Sequence, residues 1–367
     1  MQFRFGIEHE IAFLNQDGQF ADFTNTSYAA FAQIVAELPL YDSDYPQLRI
    51  GDAGIKHKRW YVEGFERFVD SEVPVDCPPK GIEIRTTIHT SIAGAVAELR
   101  EGFELLRTVA GRFGYTPVAL SFHPFLTEFQ PDPPLNDYEL ARRMQSPEMM
   151  SADIPMLTYG PDLNISLDGL SAAETIDIGR KLTAYSPFII PFTFSSPFYG
   201  GKLWHGLSVR TYVRTGVRPA VLVFVGDEAA LVESNPTLTE MARVESEIGR
   251  IEFKACDSCR DFSLYGSLLA LLKGLCLDQT LLDRATVPNA KLHQHSAKRG
   301  FESQHIYETA VGMSRAAEQA LGNDPDRQLL QPLWAILERP LHCEVYQMRE
   351  SFNALNSVRD ALLMLTP

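Results

Sequence analysis

The chain has 367 residues, of which 45% are hydrophobic and 22% charged, a composition that excludes disordered, collagen-like and fibrous classes. Its 33 Lys and Arg against 47 Asp and Glu give a formal net charge of −14, so the surface as a whole repels nucleic acid and anionic lipid, and an anionic substrate needs a locally cationic site. An odd, low number of cysteines, Cys77, Cys256, Cys259, Cys276 and Cys343, argues against a disulfide framework and for reduced thiols.

The N-terminal stretch MQFRFGIEHEIAFL carries two glutamates and lacks the uninterrupted apolar core of a signal peptide. Its alternation predicts a strand with Phe3, Phe5, Ile7, Ile11 and Phe13 on one face and Arg4, Glu8 and Glu10 on the other. Tyr28, Phe31, Val35 and Leu38 mark a helix. A second strand sets Ile82 and Ile84 against Glu83 and Arg85, and a long helix follows over Ile92, Val96, Leu99, Phe103, Leu106, Ala110 and Phe113, capped by Ser91 and ended by Gly114. The proline-rich pieces at 78–79 and 131–134 read as loops.

A third strand sets Leu163, Ile165 and Leu167 against Asp162, Asn164 and Ser166, after which Ser171 and Glu174 form a capping-box pattern ahead of a helix containing Ile178 and Leu182. A fourth strand is expected to set Leu207, Val209 and Val213 against Ser208, Arg210, Tyr212 and Arg214, and a fifth Ile251, Phe253 and Ala255 against Arg250, Glu252 and Lys254. From Leu264 onward every pattern is helical. The apolar stretch Leu264 to Leu277 is broken by Lys273 and is shorter than the roughly 20 residues of a membrane span. A cytoplasmic protein with no membrane and no nucleic-acid partner is therefore expected. Without repeats or long linkers, residues 1–367 are expected to form one catalytic domain, with 301–367 as a C-terminal helical part; an oligomer is left open.

If the five strands join one sheet, helices cover its oily face, and the other becomes a charged floor of Glu8, Glu10, Glu83, Asp162 and Glu252 beside Arg210 and Lys254. So many carboxylates in one cavity would raise one another's pKa values, a cost that a bound divalent metal removes. A solvated sheet face laced with salt bridges is the alternative for any single strand. No P-loop or dinucleotide-binding glycine pattern is present. Cys256 and Cys259 form a CxxC pair followed by His293 and His295, but a second cysteine pair is missing, and buried thiols are preferred to zinc. His9 falls on the face away from the glutamates and reads as a packed histidine; His123, before Pro124, reads as a turn residue.

Gly6-Ile7-Glu8-His9-Glu10, Gly81-Ile82-Glu83, Ser121-Phe122-His123-Pro124-Phe125, Ser196-Pro197-Phe198 with Gly201, Leu207-Ser208-Val209-Arg210 and Ile251-Glu252-Phe253-Lys254 stand in the order found in glutamate-cysteine ligases and related carboxylate-amine ligases. The chain resembles that family over roughly residues 5 to 280, and residues 162–210 look most like the plant-type enzymes. The resemblance implies an α+β, glutamine-synthetase-like fold, a curved, mainly antiparallel sheet forming a funnel covered by helices, which binds ATP and Mg²⁺, with Mn²⁺ as the alternative ion. Carried over by position, it assigns Glu8, Glu10, Asp76, Glu83, Asp162 and Glu252 to metal, and Lys254, Asn164 and Arg210 to nucleotide, with Lys254 and Arg210 also catalytic. Lys254 stands where the family usually has Arg, and Asp162 where it has His or Gln. The implied reaction joins glutamate to cysteine through an acyl phosphate, with amino acids and ATP as small-molecule substrates. A different amine acceptor, or a silent nucleotide-binding member, remains open on the residues alone. Arg210 is expected either to stabilise the transferring phosphoryl group or to grip a substrate carboxylate, with a structural ion pair as the alternative.

Overall fold

The structure is a computed structural model that describes residues 2–41 and 59–363. Its strands are β1 (Phe3–Leu14), β2 (Phe20–Ala21), β3 (Trp60–Gly64), β4 (Pro79–Arg85), β5 (Thr116–Val118), β6 (Pro161–Leu167), β7 (Phe198–Tyr199), β8 (Lys202–Leu203), β9 (Val221–Val225), β10 (Thr239–Met241) and β11 (Ile251–Phe253). One sheet runs in the order β10-β9-β11-β6-β1-β4-β3, with β2 and β5 attached to the far end of β1. Its pairings are antiparallel except that of β9 with β10. The short hairpin of β7 and β8 stands apart and turns through Gly200 and Gly201, whose φ values of 58° and 74° favour glycine.

The side-chain period of two decides which face each residue takes. Along β1, Phe5, Ile7, Ile11 and Phe13 are buried while Gly6, Glu8 and Glu10 are partly exposed, as the alternation predicts. The oily face, continued by Ile82, Ile84, Leu163, Ile165, Ile251 and Phe253, meets the helices Ile92–Arg112, Ala172–Ile189, Ser263–Leu277 and Gln304–Leu321 in one core. Each such side chain contributes roughly 1.5–3 kcal/mol by leaving water. Ser91 caps the first of these helices by accepting the Gly94 N–H, and Ser171 and Glu174 form both halves of the expected capping box. Near the C-terminus, Met348, Val358, Ala361 and Leu362 pack on Ala12, Leu14, Phe20 and Val118, so the last helices cover the far end of β1. No helix among the described residues is long and apolar enough to cross a membrane.

The segment expected as a fourth strand is instead the helix Val209–Arg214. Ser208 is its N-cap and accepts the Thr211 N–H, a local bond that competes with a strand and wins. Val209 and Val213 fit an i,i+4 spacing as well as an alternation, and six residues are too few to separate the two periods. The sheet gains β3 and β9 in its place. Neither alternates cleanly, because Val221–Val225 is buried throughout and Trp60–Val62 is buried on consecutive residues.

Candidate active site

The strand register brings the polar face together. Glu8 lies opposite Arg85 on β4 and Asp162 on β6; Glu10 lies opposite Glu83, which in turn faces Tyr61; and Glu252 lies opposite Asn164. Because directly opposed residues point the same way, Glu8, Glu10, Glu83, Asp162, Asn164 and Glu252 all belong to one floor.

Two charge clusters divide it. In the first, Glu10, Glu63 and Glu83 each present a carboxylate oxygen, all within 4.8 Å of one another. Three hard, anionic oxygen donors at that spacing fit Mg²⁺ or Mn²⁺, which favour oxygen ligands and share the remaining positions with water and phosphate. Glu10 is already steered from outside the group: Lys80, buried and held by the Pro155 and Thr158 carbonyls, donates to its Oε1, and the Gly160 N–H donates to its Oε2 at 3.0 Å. Asp76 is not among the three. It sits exposed on the loop before β4, where its Oδ1 accepts the Cys77 N–H and its backbone pairs with Arg67. Spacing along the chain puts Asp76 near Glu83 in sequence, but the loop turns it outward, and Glu63 from the neighbouring strand takes the place beside Glu10.

In the second cluster, Lys254 donates to both Asp162 and Glu252, and Arg250 bridges Glu8 at 3.1 Å, Glu252 at 3.3 Å and Glu247 at 3.3 Å. Asn164 donates to Glu8 Oε1 at 3.3 Å. Burial works to raise the Glu8 pKa, but the charges of Arg250, Arg85 and Lys254 prevail and hold it at about 2. Asp162 goes the other way: burial, with the charges of Glu252 and Glu8, outweighs Lys254 and pushes it up to about 7. The ammonium of Lys254, although buried, is held charged by Asp162 and Glu252. The sequence already put Arg250 and Arg85 on the polar face by parity without a role. Lys80 carried no signal, since it shares its parity with the oily Ile82 and Ile84.

Arg210 reaches the floor from the helix rather than from a strand. Its Nη1 and Nη2 donate to the carbonyls of Ala255 and Lys254 at 3.1 and 3.0 Å, and its guanidinium lies against Gly160, where a Cβ would come within 2.4 Å of Nη2. The fully buried Asp257 fixes the approach: it accepts from the Ser195 N–H and from the hydroxyls of Ser196 and Ser208, tying the Ser-Pro-Phe turn, the helix cap and the end of β11 to one carboxylate. Among the described residues Arg210 thus makes no ion pair, and its two Nη groups are committed to carbonyls rather than free to swing as a fork.

A cavity opens at each end of the floor. One, of about 100 Å³, is bordered by Gly6, Glu8, Arg85, Thr87, Asn164 and Arg250. The other, of about 390 Å³, is bordered by Glu63, Lys80, Glu139, Arg143 and Arg218. The residues read as structural have partners of their own. His9 is hydrogen-bonded to the Tyr265 hydroxyl at 2.7 Å, and burial pushes its pKa down to about 4. His123 is paired with Asp22 at 2.8 Å and accepts the Phe125 and Leu126 N–H groups, holding a turn. Cys256 and Cys259 are buried free thiols, and His293 is bonded to Ser186 and His295 to Ser303, so the described residues form no zinc set there.

Comparison with known proteins bears on the family and the fold. The model of the glutamate-cysteine ligase family 2 matches residues 4–330. Two curated relatives, each named "Putative glutamate--cysteine ligase 2", come from Jannaschia sp. (strain CCS1) and Gloeobacter violaceus. They are 29% identical over 218 residues and 26% over 219, covering 55% and 53% of this chain. Each alignment covers 55% of the relative, so the chain spans about half the length of the curated relatives it matches. Among solved structures, a bifunctional glutathione synthetase from Pasteurella multocida superposes with a TM-score of 0.60 at 12% identity, covering 100% of this chain and 52% of that one. A glutamate–cysteine ligase from Francisella tularensis in complex with AMP gives 0.59 at 10% identity, covering 100% and 88%. At these identities the likeness is one of fold: the α+β, glutamine-synthetase-like sheet covered by helices.

Proposed function

We propose, from the premise that the chain belongs to the glutamate-cysteine ligase family 2, that it is an ATP-dependent carboxylate-amine ligase forming a γ-glutamyl amide. In this reading a side-chain carboxylate oxygen of glutamate attacks the γ-phosphorus of ATP, ADP leaves, and the acyl phosphate is taken by an amine that expels phosphate and sheds a proton. Cysteine is the leading acceptor. The observation that carries the reading is the carboxylate floor set between two cavities, with Arg85 and Arg250 at one end and Glu10, Glu63 and Glu83 at the other.

Each group has a part that its chemistry suits. Arg85 and Arg250 border the smaller cavity and offer fixed positive charge to nucleotide phosphates, with Asn164 as a neutral donor and acceptor beside them. Mg²⁺ or Mn²⁺ held by Glu10, Glu63 and Glu83 would neutralise phosphate oxygens. Lys254 stands between Asp162 and Glu252, poised to exchange a carboxylate for charge developing on a transferring phosphoryl group. Arg210 positions the Gly160 and Glu10 end of the floor.

Phosphate release from ATP and Mg²⁺ with glutamate, across a panel of amines that includes cysteine, tests the reading. Release that depends on cysteine supports it, release with another amine reassigns the acceptor, and no release with any amine overturns it in favour of a silent nucleotide-binding member.

A further inference from the structure

We propose that Arg214, flanked by Arg218, receives the non-reacting carboxylate of the donor amino acid, the part that the sequence alone offers to Arg210. The proposal rests on the ligase reading and adds to it a specific residue for donor recognition.

Three arginines, Arg210, Arg214 and Arg218, follow one another at four-residue steps from the helix Val209–Arg214 into the turn beyond it. Arg210 has both its Nη groups committed to backbone carbonyls. Arg218 donates through Nη1 to the Glu148 carbonyl at 2.7 Å, while its Nε is buried without a partner. Arg214 is only 9% exposed, its side chain makes no hydrogen bond or ion pair among the described residues, and its Nη2 is buried without an acceptor. The hydroxyl of Thr211, which borders a small pocket together with Arg214 and Arg218, is likewise buried and unpaired.

Such an arrangement is costly. A buried guanidinium without an acceptor loses its hydration and gains nothing in return, and here two further guanidinium groups repel it. Burial, then the charges of Arg210 and Arg218, push the Arg214 pKa well below its ordinary value, and the field of Asp162 and Glu10 offsets this only in part. A bound anion removes both penalties at once by supplying acceptor oxygens and a compensating charge. A planar, two-oxygen carboxylate matches the guanidinium fork.

Location selects the substrate. Arg218 borders the larger cavity, which also contains Glu63 and Lys80 and so leads to the Glu10, Glu63 and Glu83 group. Arg85 and Arg250, the cations suited to nucleotide phosphates, border the other cavity. An amino acid whose one carboxylate rests on Arg214 and Arg218 would extend its other carboxylate toward the floor.

The test compares the wild-type chain with R214M and R214K. Melting is followed without nucleotide or metal, with L-glutamate or inorganic phosphate as probe, and steady-state kinetics are measured where turnover exists. L-Glutamate is expected to raise the melting temperature of the wild type. R214M is expected to melt no lower than wild type when ligand-free, because an unpaired buried charge has been removed, and to lose the response to L-glutamate. Its KM for glutamate should rise on the order of tenfold or more while its KM for ATP stays within about twofold. R214K, which keeps the charge and loses the fork, should show a smaller rise in the same KM.

A ligand-free R214M that melts well below wild type makes Arg214 structural and overturns the proposal. So do an L-glutamate response that is absent in wild type or retained in R214M, an equal change in both KM values, or a KM for glutamate unchanged in R214K. Stabilisation by phosphate but not by L-glutamate makes the site a phosphate site and also overturns it. Absence of phosphate release by wild type with every amine overturns the ligase reading alone, since the melting response to L-glutamate and its loss in R214M are read without turnover.

Discussion

Glu8 on β1 and Asp162 on β6 are directly opposed in the sheet, yet Glu8 is held at about 2 and Asp162 is pushed up to about 7. Burial works to raise both. Glu8 lies among Arg250, Arg85 and Lys254, whereas Asp162 shares its single ammonium with Glu252 and feels Glu8 across the strand pair. Two neighbours of one chemical type thus hold different charge near neutrality, because Arg250 and Arg85 act on Glu8 while Lys254 lowers both.

Lys254→Met leaves Asp162 facing Glu252 without its cation, while Glu252 keeps Arg250 at 3.3 Å. The ligand-free protein is expected to lose about 3 kcal/mol in urea unfolding, the low end for a broken buried pair because the lysine side chain is 16% exposed. In turnover assays Met should lower the rate more than it weakens ATP binding, and Arg should keep activity. Unaltered turnover by the folded fraction of the Met variant would remove Lys254 from the chemistry and leave it a salt bridge.

Metal titration separates Glu63 from Asp76. Glu63→Gln is expected to weaken Mn²⁺ binding about tenfold, because one of three converging carboxylates is lost, while Asp76→Asn leaves it unchanged. Isothermal titration with MnCl₂ reads both, and the reverse ranking would restore Asp76 as the ligand.

Acid stability reports the buried imidazoles. Burial pushes His9 and His293 down to about 4, below the roughly 6.5 of an unfolded histidine. Between those values the unfolded chain binds more protons than the folded one, so their stability contribution is full above about pH 6.5 and is lost as pH falls toward about 4. His9→Gln, which keeps a hydrogen-bonding group near the Tyr265 hydroxyl, should flatten that decline in denaturant unfolding measured across this range. An unchanged slope would show that His9 does not contribute to it.

The cysteines give a negative test. Burial pushes the Cys256 thiol up to about 12 and the Cys259 thiol up as well, so both should resist iodoacetamide in the native protein at neutral pH. The purified chain should carry no stoichiometric zinc, and the double Ser variant should retain much of its activity. Metal analysis showing one zinc per chain would reverse this reading.

The carboxylate floor was legible because a strand's period of two is a local property: Glu8, Glu10, Glu83, Asp162, Asn164 and Glu252 could be placed on one face from their own neighbours alone. Helix caps at Ser91 and Ser171 were legible for the same reason, each being complete within four residues. What only the tertiary structure decided lies in contacts between distant segments. Glu63 joins Glu10 through strand pairing on either side of β4, Asp76 is turned out by its loop, and Lys80 reaches Glu10 against the parity of its own strand. Arg210 and Arg214 depended on a choice between two periods that both fit a short segment, and the Ser208 cap with its anchor on Asp257, nearly fifty residues away, settled it as a helix. Local periodicity determined which face each charge takes; the balance of burial and partners in three dimensions determined which charges are paired, which are shifted, and which guanidinium is left without an acceptor.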